Sequence, residues 1–288
     1  NEKDEATSTI MALYIASLNS GSNGNCYYIG NEQEAVLIDA GISCREVESR
    51  MKRLGLAMEK VKALFVSHEH SDHIKGVAML SKKYALPVYI TPPTRKEARL
   101  KLDKTLALSF SDNEPVMVGG LTILPFNKNH DAVDPFSFTV RYGRIHVGVF
   151  TDIGVPCRQL VKHFKKCHAA FLEANYDEEM LENGGYPYYL KKRIRGGKGH
   201  LSNAQALELF LKHRPAHMSH LLLSHLSKNN NDPALVQQLF EQHARGVKMV
   251  VLSRYEESAV YTVGTAADII QTNTVRRQAV SQLKLLFD

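Results

Sequence analysis

No stretch of this 288-residue chain approaches the roughly 18 to 20 consecutive apolar residues that a membrane-crossing helix needs. Its start also lacks the basic segment followed by an apolar stretch that marks a secretory signal. Cysteine is scarce: Cys26, Cys44, Cys157 and Cys167 form no C-x-x-C pair and show no framework spacing, which speaks against a disulfide scaffold. The glycine-rich turn Ser20-Gly21-Ser22-Asn23-Gly24-Asn25 lacks the G-K-[ST] of a Walker loop and reads as a tight hairpin. No fixed-period repeat and no low-complexity segment is present. The expectation is a cytoplasmic globular protein with reduced thiols, no membrane partner and no organic cofactor. Any metal chemistry in it must rest on histidine and carboxylate.

A composition of 44% hydrophobic and 23% charged residues suits a chain that buries a large core. Residues 1–10 are polar and mostly small, and they are expected to form a disordered tail, with Met11 a candidate natural start. Residues 11–288 are read as one domain. The formal net charge of +6 favours a polyanionic partner such as nucleic acid. Thirteen histidines are the more unusual count, because imidazole is the commonest metal ligand.

Apolar alternation bounded by turn residues predicts strands over 14–18, 26–29, 35–38, 63–66, 88–90 and 121–126. Helical spacing falls between them at 44–54, with Val47, Met51 and Leu54 on one face, and at 76–84, ended before Pro87. The second half repeats the plan, with strands at 137–142, 145–151, 169–173, 220–224, 248–252 and 259–261. Helices are predicted there at 158–165, 203–212 and 233–243, the last opened by Asp232 and Pro233. Two strand-rich halves with helices outside predict an α/β fold, a four-layer αβ/βα sandwich. Residues 176–199 show no periodicity and read as a long loop, and 266–287 read as an amphipathic helix.

The densest signal is Phe65-Val66-Ser67-His68-Glu69-His70-Ser71-Asp72-His73, an apolar strand that runs into four potential ligands within six residues. Side chains two apart on an extended chain point the same way, so His68 and His70 can grip one ion. Asp72 and His73 then turn toward a second site as a helix begins. A solvated turn rich in histidine and acid is the competing reading, and the density of ligands directly after an apolar strand weighs against it. Imidazoles with a carboxylate suit zinc best, with manganese, iron or nickel as alternatives. Asp39, His130, Asp152 and His225 each follow a predicted strand.

This pattern resembles the H-x-H-x-D-H signature of the metallo-β-lactamase superfamily. The resemblance implies that His68, His70 and His130 hold one divalent ion, that Asp72, His73 and His225 hold the other, and that Asp152 bridges them. Asp39 would stand behind the metal loop as a hydrogen-bonding partner. Two cations about 3.5 to 4 Å apart lower the pKa of a shared water and stabilise an in-line displacement, giving a hydroxide nucleophile at neutral pH.

Within that superfamily the chain is most similar to the YycJ/WalJ branch. The similarity is carried by the Ser20 to Tyr27 segment, Asn129-His130-Asp131-Ala132-Val133-Asp134-Pro135, Gly199-His200-Leu201-Ser202-Asn203 and Leu223-Ser224-His225-Leu226-Ser227-Lys228-Asn229-Asn230. That branch implies a DNA exonuclease working from the 5′ end with divalent metal. One departure stands out: Tyr176 occupies a place where the branch is expected to carry histidine. Asp72 and His200 are the candidate catalytic residues, His200 as a proton donor to the leaving oxygen.

The stretch 186–198 interleaves tyrosines with Lys191, Lys192, Arg193, Arg195 and Lys198. Such cations can neutralise phosphates while rings stack on bases, so Lys191, Lys192, Arg193 and Arg195, with Lys228 and Asn229, are the candidate substrate contacts. The alternatives within enzymes are an RNA-processing nuclease or a phosphodiesterase for small cyclic or nucleotide substrates. Outside them stands a nucleic-acid binding module with a degenerate metal site. The remaining histidines, His146, His163, His168, His213, His217, His220 and His243, read as core or surface residues.

Overall fold

Apolar residues alternate along most strand segments of this chain, and in the central ones both faces are apolar, which is the pattern of strands covered on both sides. The computed structural model describes residues 11–264. The expected tail at 1–10 and helix at 266–287 lie outside the described residues. One seven-stranded sheet contains β1 (Leu13–Asn19), β2 (Cys26–Gly30), β3 (Ala35–Ile38), β4 (Val61–Phe65), β5 (Val88–Tyr89) and β6 (Ala107–Leu108). The other runs in space from β13 (Lys248–Val251) through β12 (His220–Ser224), β11 (Ala169–Glu173), β10 (Ile145–Phe150), β9 (Phe136–Tyr142) and β8 (Leu121–Asn127) to β7 (Val116–Val118).

The seventh strand of the first sheet, β14 (Tyr261–Val263), comes from the far end of the described chain and pairs antiparallel with β1, Leu13 opposite Val263. The first sheet is therefore closed at one edge by a strand from the second half of the chain. Val263 and Tyr261 pack into the core between the sheets and Val260 packs on the other side, so this segment suits an edge with cover on both faces.

Three apolar clusters mark three interfaces between four layers, as expected for the αβ/βα sandwich. Between the sheets, Tyr27, Phe65, Phe138 and Phe171 interlock, with the Phe65 ring stacked on Tyr89 at 4.6 Å. Outside the first sheet, α1 (Cys44–Arg53) and α3 (Val77–Tyr84) cover a second cluster. Outside the second sheet, α5 (Arg158–Phe164), α8 (Asn203–His213) and α9 (Pro233–Glu241) cover a third. The helix ends follow local chemistry: Ser43 caps α1, Ser202 and Gln205 form a capping box on α8, and Asp232 caps α9.

Residues 176–199 are not the long loop their sequence suggests. They contain α6 (Glu178–Asn183), capped by Asp177, and α7 (Tyr188–Ile194), opened by Pro187. No residue of α7 is buried, so no apolar stripe betrays it in the sequence. Two further short helices, α2 (Ser71–Ile74) and α4 (Pro92–Glu97), follow β4 and β5. Strands β3 to β6 run parallel, as do β10 to β13. Their carboxyl ends gather the site, the usual place for a ligand in such sheets. Among the described residues no helix is long and apolar enough to cross a membrane, and all four cysteines are free.

Candidate metal centre

Three side chains of the site leave their strands through left-handed backbone: Asp39 after β3 (φ 60°), Asp152 after β10 (φ 56°) and His225 after β12 (φ 59°). A non-glycine residue held there costs on the order of 1–3 kcal/mol, and such strain concentrates at functional sites. The turn after β3 also needs Gly41, since a Cβ there would lie 1.6 Å from the Asp72 carbonyl oxygen. This close approach lets Asn25 N donate to Asp72 O at 2.7 Å and Ala40 N to His73 O at 2.9 Å, which fixes α2 and its two candidate ligands beside β3.

The candidate ligand atoms converge. His68 Nε2 lies 3.1 Å from His70 Nδ1, and His130 joins these two in one cluster. Asp72, His73 and His225 form another, with Asp72 Oδ2 3.5 Å from His73 Nε2 and 3.6 Å from His225 Nε2. Asp152 stands between the two. Its carboxylate is 3.2 Å from His73 Nε2, 3.6 Å from His225 Nε2 and 3.9 Å from His130 Nε2. Two atoms bound to one ion at about 2.0–2.2 Å sit roughly 3–4 Å apart, so these separations suit shared cations.

The hydrogen bonds agree. His130 Nε2, His225 Nε2 and Asp152 Oδ2 are buried without a hydrogen-bond partner among the described residues. A buried polar atom left unpaired is costly, and a metal ion would satisfy all three. Behind them the other ring nitrogens are held. His130 Nδ1 donates to Gly199 O (3.1 Å), His73 Nδ1 to Asp39 Oδ2 (2.7 Å), and His225 Nδ1 lies 2.9 Å from Glu173 Oε1. Each such bond leaves Nε2 free to act as a ligand. Asp39 is itself fixed by Ser67 N and Ser67 Oγ, both at 2.8 Å.

Charge follows the same geometry. Burial disfavours an imidazolium at His73, but Asp152, Asp39 and Asp72 outweigh it and raise the group to about 10. His225 is likewise driven well above the ordinary histidine range, burial being overcome by Asp152, Asp72 and Glu173. His130 moves the other way, to about 4, because burial and Lys128 prevail over Asp152. Around Asp152, burial is overridden by His225, His73 and Lys128, which keep its carboxylate ionised. In this pocket acids and imidazoles neutralise one another, a balance that cations can take over.

Two buried groups of the site escaped the sequence reading. Glu173, the last residue of β11, is fully buried, and its Oε1 lies 2.8 Å from His200 Nδ1 and 2.9 Å from His225 Nδ1. Its Oε2 accepts from Ile153 N and Leu201 N. Lys128, just past β8, is buried with its Nζ on Thr151 O. The signal for Glu173 was its strand-end position, shared with Asp152; Lys128 had none. Tyr176, the departure from the expected pattern, is buried, and burial with Glu178 and Glu173 pushes its hydroxyl up to about 12.

The other expected contacts gather less closely. Arg193 pairs with Asp131, next to His130, while Lys191 donates to the Glu182 carbonyl and Arg195 pairs with Glu182 Oε2 at 2.8 Å. Lys192 is exposed. Asn229 donates to the Tyr186 hydroxyl, and Lys228 lines a cavity with Arg254 and Tyr255. His200 closes the glycine turn after α7, its N–H on Ile194 O at 2.8 Å, and its Nε2 makes no hydrogen bond to the described residues.

Residues 34–225 match the family model described as a beta-lactamase superfamily domain. The chain belongs to the metallo-β-lactamase superfamily. It is 32% identical over 246 residues to the Exodeoxyribonuclease YycJ of Bacillus anthracis, an alignment covering 82% of this chain and 92% of that protein. It is 31% identical over 219 residues to the Exodeoxyribonuclease WalJ of Streptococcus pneumoniae, covering 74% and 81%. Among solved structures, the metallo-β-lactamase fold protein YhfI of Bacillus subtilis superposes with a TM-score of 0.67 at 15% identity, over 88% of this chain and 100% of that one. This superfamily member is therefore a hydrolase of the metallo-β-lactamase fold, with a histidine and aspartate cluster suited to divalent metal.

Proposed function

We propose that this hydrolase is a dinuclear, metal-dependent DNA exonuclease that works from the 5′ end. The observation that carries the metal assignment is the set of buried, unpaired atoms on His130, His225 and Asp152 at the meeting point of both sheets. His68, His70 and His130 would hold one ion, Asp72, His73 and His225 the other, with Asp152 shared. Zinc is the favoured metal on the donor set. When bound, two divalent ions supply Lewis acidity toward the phosphate and a hydroxide at neutral pH. DNA as substrate and the polarity of digestion rest on the likeness to YycJ and WalJ.

The residues of the chain divide the remaining work. Asp39 and Ser67 orient His73. Glu173 holds His200 by Nδ1, so that Nε2 faces outward to protonate the departing 3′ oxygen, and the same carboxylate orients His225. His200 is thus a proton donor and Glu173 its positioning residue. The test is metal content together with digestion of DNA labelled at either end. About two ions per chain, loss of activity on chelation and release of the 5′ label first are expected. A metal-free active preparation would sink the dinuclear reading. Digestion of RNA alone would sink the DNA assignment.

A further inference from the structure

The stretch from Arg95 to Lys104 contains Arg95, Lys96, Arg99, Lys101 and Lys104 against two acids, Glu97 and Asp103. In the fold the first three of these cations line one cavity that shares a wall with another at Asp72. A cavity of about 400 Å³ opens at Asp72 and is walled by Ser22, Asn23, Gly41, Lys75 and Leu100. Leu100 is also a wall of a second cavity, of about 500 Å³, lined by Pro92, Arg95, Lys96, Arg99 and Leu108. The two share Leu100 as a wall, and laid end to end they would form a trough from Asp72 outward past α4.

The charges of the trough differ from those of α7. Lys75, Lys96 and Arg99 are exposed and pair with no acid among the described residues, and Arg95 meets only the Leu102 carbonyl, at 3.4 Å. On α7, by contrast, Arg193 and Arg195 are already committed to Asp131 and Glu182. Free cations bind phosphates at little cost, whereas paired ones must first give up a partner. The named walls of the trough hold no aromatic ring, and Leu100, Pro92 and Leu108 offer only apolar contact. Such a surface follows a sugar-phosphate backbone without reading bases.

We propose that a polynucleotide strand lies in this trough, with its phosphates on Lys75, Arg95, Lys96 and Arg99 and its scissile end at Asp72. The proposal rests on the nuclease reading above. It places the main electrostatic grip on the α4 side of the site rather than on α7, and it makes binding indifferent to sequence.

The test uses metal-loaded enzyme and a fluorescent single-stranded phosphorothioate oligonucleotide, which keeps its charge and resists cleavage. Anisotropy across a salt series reads the affinity. In the triple variant Arg95→Ala, Lys96→Ala, Arg99→Ala, the slope of log affinity against log salt should flatten by about 2, at roughly 0.7 per lost phosphate contact. At 0.1 M salt this corresponds to a loss of about 10²-fold. Lys96→Glu alone, at an exposed position, should show a smaller loss of the same sign and covers the case in which the triple variant fails to fold. Replacing Lys191, Lys192, Arg193 and Arg195 with alanine should flatten the slope less. An unchanged slope in both trough variants, or a larger effect from α7, overturns the proposal. Failure of the wild-type enzyme to hydrolyse bis(p-nitrophenyl) phosphate would instead sink the nuclease reading while leaving the binding result to stand.

Discussion

Strand β12 begins with His220 and is followed by His225, and the two imidazoles have opposite fates. His220 is held at about 4 by burial and Lys248, while His225 is raised well above the ordinary range because Asp152, Asp72 and Glu173 outweigh burial. A similar contrast separates His225 from His163 and His168. Away from the candidate ligands, burial holds His163, on α5, and His168, just before β11, at about 4, aided by Lys162 and Lys166 at the first and by His217, His146 and Arg144 at the second. At the carboxyl ends, His73 and His225 face carboxylates, whereas His130 is held at about 4 by burial and Lys128. His225 is a candidate ligand, whereas His163 is a packed ring. The His163 ring stacks on Phe126 at 4.2 Å.

The most severe break of this contrast is at the centre. Asp152→Ala should lose both ions and reduce hydrolysis to background, and His225→Ala should lose metal and activity together. His220→Ala should keep both. Elemental analysis beside a phosphodiesterase assay decides it, and metal loss from His220→Ala would remove the distinction between strand ends.

A smaller effect is expected one step out from the ions. His200→Ala should retain its metal and lose rate by roughly 10²- to 10⁴-fold on DNA, and by less on a diester with a good leaving group. Full activity on DNA would deny it the proton. Glu173→Gln touches both rings at once, so a loss of about 10- to 100-fold, with weaker metal retention, is expected. Its effect should not add to that of His200→Ala if the carboxylate acts through that ring, which a double variant can show.

The mildest test concerns the packed histidines. Their folded values near 4 lie below the 6.5 of a free imidazole. Between those pH values the unfolded chain binds protons that the folded chain refuses, so stability should fall as pH drops through that window. His163→Phe keeps the ring stack and removes one titrating group. Melting temperatures measured from pH 7 to 4 should therefore decline less steeply in this variant, and an equal slope would show that His163 contributes nothing to acid sensitivity.

By itself the sequence determined the layers and the heart of the site. Strands alternating with capped helices showed the αβ/βα plan, because apolar period and cap chemistry are local properties. The run from His68 to His73 was legible for the same reason: a strand passing into a turn fixes where neighbouring side chains point. Only the tertiary structure decided the rest. Glu173 acquires its meaning because β11 lies between β10 and β12, which brings two distant imidazoles to one carboxylate. The helix α7 hid because it buries nothing. Arg95, Lys96 and Arg99 came to line a cavity that shares Leu100 with the one at Asp72 only when the chain after β5 folded back. Contacts between segments far apart in the chain leave no periodic trace along it, so no reading of spacing could have placed them.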